Sequence, residues 1–78
     1  MQKVKVLYFA SLRELIGTPE VSLEVLAPVD AAAIWKLATP TVTLPEASLV
    51  AINQAYASLD SIVEPGDEVA FFPPVTGG

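Results

Sequence analysis

Val4, Val6 and Tyr8 alternate with Lys3, Lys5, Leu7 and Phe9. A period of two in β-branched and aromatic residues predicts a strand over Lys3–Phe9. Ser11 is placed to cap a short helix in which Leu12, Leu15 and Ile16 share a face, with Gly17 to end it. Beyond Thr18-Pro19, the segment Val21-Ser22-Leu23-Glu24-Val25 alternates again. It predicts a second strand, antiparallel to the first, with Val21, Leu23 and Val25 inward. Asp30 then serves as N-cap for a helix whose Ala31, Ile34, Trp35 and Ala38 form an apolar stripe, and Pro40 stops it. A lone tryptophan on such a stripe reads as core.

Thr39–Ser48 carries Pro40 and Pro45 among threonines and reads as an irregular connection. Leu49–Ile52 and Ala55–Ala57 form a small hairpin around Asn53-Gln54, and Pro65-Gly66-Asp67 forces a turn into a last strand, Glu68–Phe72. The order β, short α, β, α, β, β, β predicts an α+β roll of the ubiquitin-like, β-grasp kind. In that roll one main helix packs on one face of a mixed sheet. Residues 1–72 are expected to form the domain and residues 73–78 an extended C-terminal tail.

Pleating changes the picture on the other face. With Val4, Val6 and Tyr8 inward, Leu7 and Phe9 point outward; with Val69 and Phe71 inward, so do Ala70 and Phe72. In a β-grasp roll the first and last strands are neighbours. Leu7, Phe9, Ala70 and Phe72 therefore fall into one apolar patch, the mark of an interface with another protein.

The 78 residues fit one domain, and at 53% hydrophobic they are too apolar for a disordered chain. Nine acidic against four basic residues give a net charge of −5, which disfavours nucleic acid and anionic membranes. The absence of cysteine and histidine removes disulfides, thiolate nucleophiles, imidazole bases and the usual metal ligands. No bound cofactor and no metal are expected. The start shows no signal-peptide pattern and no stretch approaches the roughly 20 apolar residues of a membrane span, so a cytoplasmic location is expected.

The candidate chemistry lies in Pro73-Pro74-Val75-Thr76-Gly77-Gly78. Two prolines cannot donate ladder hydrogen bonds and hold the backbone extended. At about 3.3 Å per residue the segment reaches roughly 20 Å, enough to enter a partner's pocket. Without Cβ atoms, Gly77 and Gly78 fit a channel too narrow for other residues. A bare carboxylate is a poor electrophile, so the end becomes reactive only as an acyl adenylate made with ATP.

Three stretches carry a family resemblance: Phe9-Ala10-Ser11-Leu12-Arg13-Glu14-Leu15, Ala51-Ile52-Asn53-Gln54, and the run from Gly66 to Gly78, GDEVAFFPPVTGG. The sequence resembles, over its whole length, the small subunit of molybdopterin synthase, the MoaD family. The resemblance implies a sulfur carrier whose Gly78 is adenylated by an E1-like enzyme using ATP and converted to a thiocarboxylate. It also implies that Pro73, Pro74, Val75, Thr76 and Gly77 thread a pocket of the large synthase subunit in a heterotetramer. Sulfur then passes to a cyclic pyranopterin precursor in molybdenum cofactor biosynthesis. On this reading the chain is not an enzyme on its own, and Phe9 and Phe72 belong to the docking face. The 39–48 segment departs from the pattern, being short and proline-rich. The alternatives are a thiamine-pathway sulfur carrier, against which Phe71-Phe72 and Pro73-Pro74 argue, and a ubiquitin-like modifier of protein lysines.

Overall fold

β1 (Lys3–Tyr8) is the second of five strands in a mixed sheet, seen in a computed structural model that describes residues 3–74. The order across the sheet is β2 (Glu20–Glu24), β1, β7 (Glu68–Phe72), β4 (Leu49–Ile52) and β5 (Ala55–Ala57). β1 and β7 run parallel, and every other neighbouring pair is antiparallel. α1 (Ala10–Ile16) follows β1 directly, and α2 (Ala31–Ala38) is the main helix. This is the expected β-grasp roll.

The core is built from the inward positions that alternation selects. Val4, Val6, Tyr8, Val69 and Phe71 are buried under Ile34 and Trp35 of α2. Trp35 stands edge-on to Tyr8 and Phe71, with ring centroids 5.7 and 5.0 Å apart, a geometry that sets the positive ring edge on the negative face. Its indole N–H donates to the Val42 carbonyl at 2.8 Å, fastening the 39–48 segment to the helix side of the molecule.

α2 starts where it does because all three of its first N–H groups find acceptors outside the helix. Ala31 donates to Ser61 O, Ala32 to Leu59 O and Ala33 to the Asp30 carboxylate at 2.8 Å. Asp30 is thus the N-cap that the sequence indicates. At the other end the Thr39 hydroxyl donates to the Trp35 carbonyl before Pro40.

Two turns behave as their residues require. Asn53 and Gln54 both have positive φ, 52° and 71°, as a two-residue hairpin of the primed type demands. Gly66 sits at φ 97° in a turn closed by Asp67 N–H to Glu64 O, with Pro65 at the first corner.

The structure corrects the sequence reading in three places. Ser11 does not cap α1; Phe9 occupies the N-cap position, with no side-chain bond, and β1 ends at Tyr8. Leu15 is exposed while Leu12 is buried and Ile16 half-buried. In a two-turn helix only a narrow stripe reaches the sheet, and Leu15 lies about 100° round from Ile16. A second, two-stranded sheet pairs β3 (Val29–Asp30) with β6 (Ile62–Val63), strands too short to show a period. Gly17 ends α1 as expected, at φ 91°, with its N–H donating to the Arg13 carbonyl.

Candidate functional site

The uncovered face of the sheet is assembled by register. Leu7 on β1 is the cross-strand partner of Ala70 on β7; Ala70 is the partner of Ala51 on β4; Ala51 is the partner of Tyr56 on β5. One row thus crosses four strands in the order large, small, small, large. The two alanines are 7% and 5% exposed because their larger neighbours rise around them, whereas Tyr56 is 76% exposed. A hollow of about 390 Å³ results, with Ala51 and Ala70 as its floor.

One row closer to the tail, Phe9 and Phe72 stack with centroids 4.8 Å apart and planes 5° from parallel. Tyr56 leans on Phe72 at 6.1 Å and 54°. At the opposite end of the hollow stand Gln54 and Glu68. The backbone of Glu68 is clamped by Asn53. Asn53 Oδ1 accepts from Glu68 N–H at 3.0 Å and Asn53 N–H donates to Glu68 O at 2.8 Å. Asn53 Nδ2 also donates to Asp67 Oδ1, so the β4–β5 hairpin is pinned to the turn that precedes β7.

All four residues expected on this face, Leu7, Phe9, Ala70 and Phe72, line the hollow together. Leu7 and Phe72 are half-buried and Phe9 is 40% exposed, while Ala70 contributes floor rather than accessible surface. None of residues 39–48 covers them. That segment instead lines a separate groove of about 740 Å³ with Trp35 and Leu59 beside α2.

β7 ends at Phe72, and Pro73 and Pro74 follow it half-buried and outside any strand. Val75, Thr76, Gly77 and Gly78 lie outside the described residues. Alternation along β1 and β7 puts Glu68 in phase with Ala70 and Phe72 but cannot reach Ala51, Gln54 and Tyr56, which belong to the β4–β5 hairpin. The signal that finds Tyr56 is the two-residue Asn53-Gln54 turn, which fixes Ala51 opposite Tyr56.

Among the described residues two ionisable groups are shifted, and neither lines the hollow. Burial pushes the Tyr8 hydroxyl above its ordinary 10.0, and this hydroxyl has no hydrogen-bond partner among the described residues. The Ser58 hydroxyl, donating at 2.6 Å, holds the exposed Asp60 carboxyl below its usual range. Among the described residues no group of three His, Cys, Asp or Glu is placed to hold a metal, and no helix is long and apolar enough to cross a membrane.

Comparison with known proteins gives this geometry a context. The sequence matches the ThiS family over residues 6–78. It is 45% identical to the molybdopterin synthase sulfur carrier subunit of Haemophilus influenzae, with 96% of this chain and 99% of that protein aligned. It is 41% identical to the protein of the same name from Escherichia coli, with the same coverage. The crystal structure of SAMP1 from Haloferax volcanii superposes with a TM-score of 0.80 at 25% identity, covering 97% of this chain and 99% of that one.

Proposed function

The chain belongs to the ThiS family, and from that premise we propose that it is the sulfur-carrier subunit of a molybdopterin synthase. The observation that carries the proposal is the aromatic hollow at the root of the tail. Phe9, Tyr56 and Phe72 form an apolar face beside the point where Pro73-Pro74 leaves the sheet. A face of this kind, on a chain of net charge −5 and full-length similarity to named sulfur carriers, suits docking of a protein that then receives the tail.

The chemistry follows from the carboxylate of Gly78. An E1-like enzyme joins a carboxylate oxygen to the α-phosphorus of ATP and releases pyrophosphate. A sulfur nucleophile then attacks the acyl carbon, AMP departs, and a thiocarboxylate remains. Within the large synthase subunit the thiocarboxylate sulfur attacks a carbon of the pyranopterin precursor and displaces an oxygen substituent there, and the acyl C–S bond of the resulting thioester is then cleaved by water. Water supplies the oxygen that restores the Gly78 carboxylate. This chain contributes position: the Leu7, Phe9, Ala70 and Phe72 face docks, Pro73 and Pro74 extend, and Val75, Thr76 and Gly77 thread the pocket. With no histidine or cysteine in the sequence, acid–base steps fall to the large subunit. The subunits assemble as a heterotetramer, in the cytoplasm.

The test is sulfur transfer with the large subunit, the activating enzyme, ATP, a sulfur source and the pyranopterin precursor. Deleting Gly78, or adding one residue after it, is expected to abolish product while leaving the circular dichroism and melting temperature of this chain unchanged. Retained transfer in either variant contradicts the proposal.

A further inference from the structure

The hollow on the outer face has an unusual make-up for a docking surface: its floor is two methyl groups, its walls are mostly aromatic or aliphatic, and its one lining carboxylate is Glu68. Resting on the docking role given above, we infer that it is a socket for one basic side chain of the partner protein, arginine by preference. The aliphatic stem would lie over Ala51 and Ala70, between Leu7 and Tyr56, and the cationic head would meet the Glu68 carboxylate.

The choice of occupant follows from what each alternative costs. A purely apolar side chain fills the walls well, but it covers the half-buried Glu68 without offering its carboxylate a hydrogen-bond donor. A basic side chain satisfies both halves of the site, because its stem is apolar and its head is charged. Tyr56 and Phe72 add ring faces on which a planar guanidinium stacks, a geometry open to arginine and not to lysine. The charge balance of the chain, −5, favours approach of a cation.

Lys5 is the cross-strand partner of Glu68 and is itself exposed, outside the lining of the hollow. An ion pair between them stays in water and is weak, whereas a pair closed under a docked partner loses its water and strengthens. Glu68 is held for this task by its neighbour: both its backbone groups are bonded to Asn53. The alanines are equally specific, since any larger residue at 51 or 70 would fill the space the stem needs.

The experiment is isothermal titration of the large synthase subunit with this chain and three variants, Glu68→Gln, Ala70→Leu and Phe72→Ala, at two salt concentrations. Glu68→Gln, at the rim and close to isosteric, is expected to weaken binding about tenfold and to flatten the salt dependence. Ala70→Leu, checked for its fold by circular dichroism, is expected to weaken binding at least as much without altering the salt dependence. If both bind within about twofold of the parent while Phe72→Ala binds weakly, the socket inference fails and the docking face stands. If Phe72→Ala also binds normally, the docking reading itself fails. Because Glu68→Gln changes only an edge carboxylate, the test holds even if Ala70→Leu does not fold.

Discussion

The rings of Phe9 and Phe72 lie face to face, 4.8 Å between centroids and 5° from parallel, although 62 residues separate them in sequence. The pair exists because β1 and β7 are parallel neighbours with Tyr8 opposite Phe71, so Phe9, the residue after β1, and Phe72, the last of β7, emerge at the same end of the sheet. That end is where the tail begins. The stack therefore ties the geometry of the proposed docking face to the root of the segment proposed to carry the chemistry.

Truncating either ring is expected to cost docking more than folding. Phe72→Ala should weaken binding to the large synthase subunit by about 2 kcal/mol, or roughly 30-fold, as central aromatic anchors do. Its melting temperature should fall only a few degrees, because the ring is half-buried and no core residue loses its packing. A double-mutant cycle with Phe9→Ala should return a coupling of about 0.5–1.5 kcal/mol. Calorimetric affinities and thermal melts check both halves; additive losses would show that the stack has no role in docking.

Asp30 caps α2 through a single bond to Ala33, while Ala31 and Ala32 are held by backbone carbonyls of the 58–61 loop. Asp30→Ala should accordingly cost about 1 kcal/mol, and thermal unfolding should show a loss of about 4–8 °C. The helix should persist, with the far-ultraviolet spectrum unchanged. A loss above about 3 kcal/mol would mean that Asp30 supports more than the cap.

Tyr8 makes a prediction about pH. Its hydroxyl is buried without a partner among the described residues, and burial raises its pKa above the ordinary 10.0. The unfolded chain releases this proton near 10.0, the folded chain only at higher pH. The stabilising contribution is thus complete below pH 10 and is lost as pH rises from there through the folded value. Tyr8→Phe should leave stability at pH 7 unchanged or slightly higher, and should delay the alkaline loss. Urea titrations of both forms between pH 7 and 11 measure it. A loss above about 1 kcal/mol at pH 7 would show that the hydroxyl is bonded.

Much of this fold is legible because its signals are local. Alternation in Val4, Val6, Tyr8 and in Val69, Phe71 marks the buried faces of β1 and β7, and Asp30, Gly17 and Pro65-Gly66 mark ends and turns. The same alternation places Leu7, Phe9, Ala70 and Phe72 on one outer face. What is not legible depends on pairing between distant segments. β3 and β6 are two residues each and exist only because Val29 meets Val63. The hollow requires Ala51 to lie beside Ala70, a register fixed by β4 pairing with β7 and invisible in either strand alone. Leu15 misleads for the opposite reason: its spacing is helical, but α1 is too short to bring it to the sheet.

The central claim is that Gly78 carries sulfur, and intact-mass spectrometry of this chain after incubation with ATP, the activating enzyme and a sulfur source tests it most directly. The account predicts one oxygen exchanged for sulfur at the C-terminal carboxylate, located at Gly78 by fragmentation and absent when ATP is withheld. An unchanged mass in the complete mixture, under conditions in which the activating enzyme thiolates a known carrier, would contradict it.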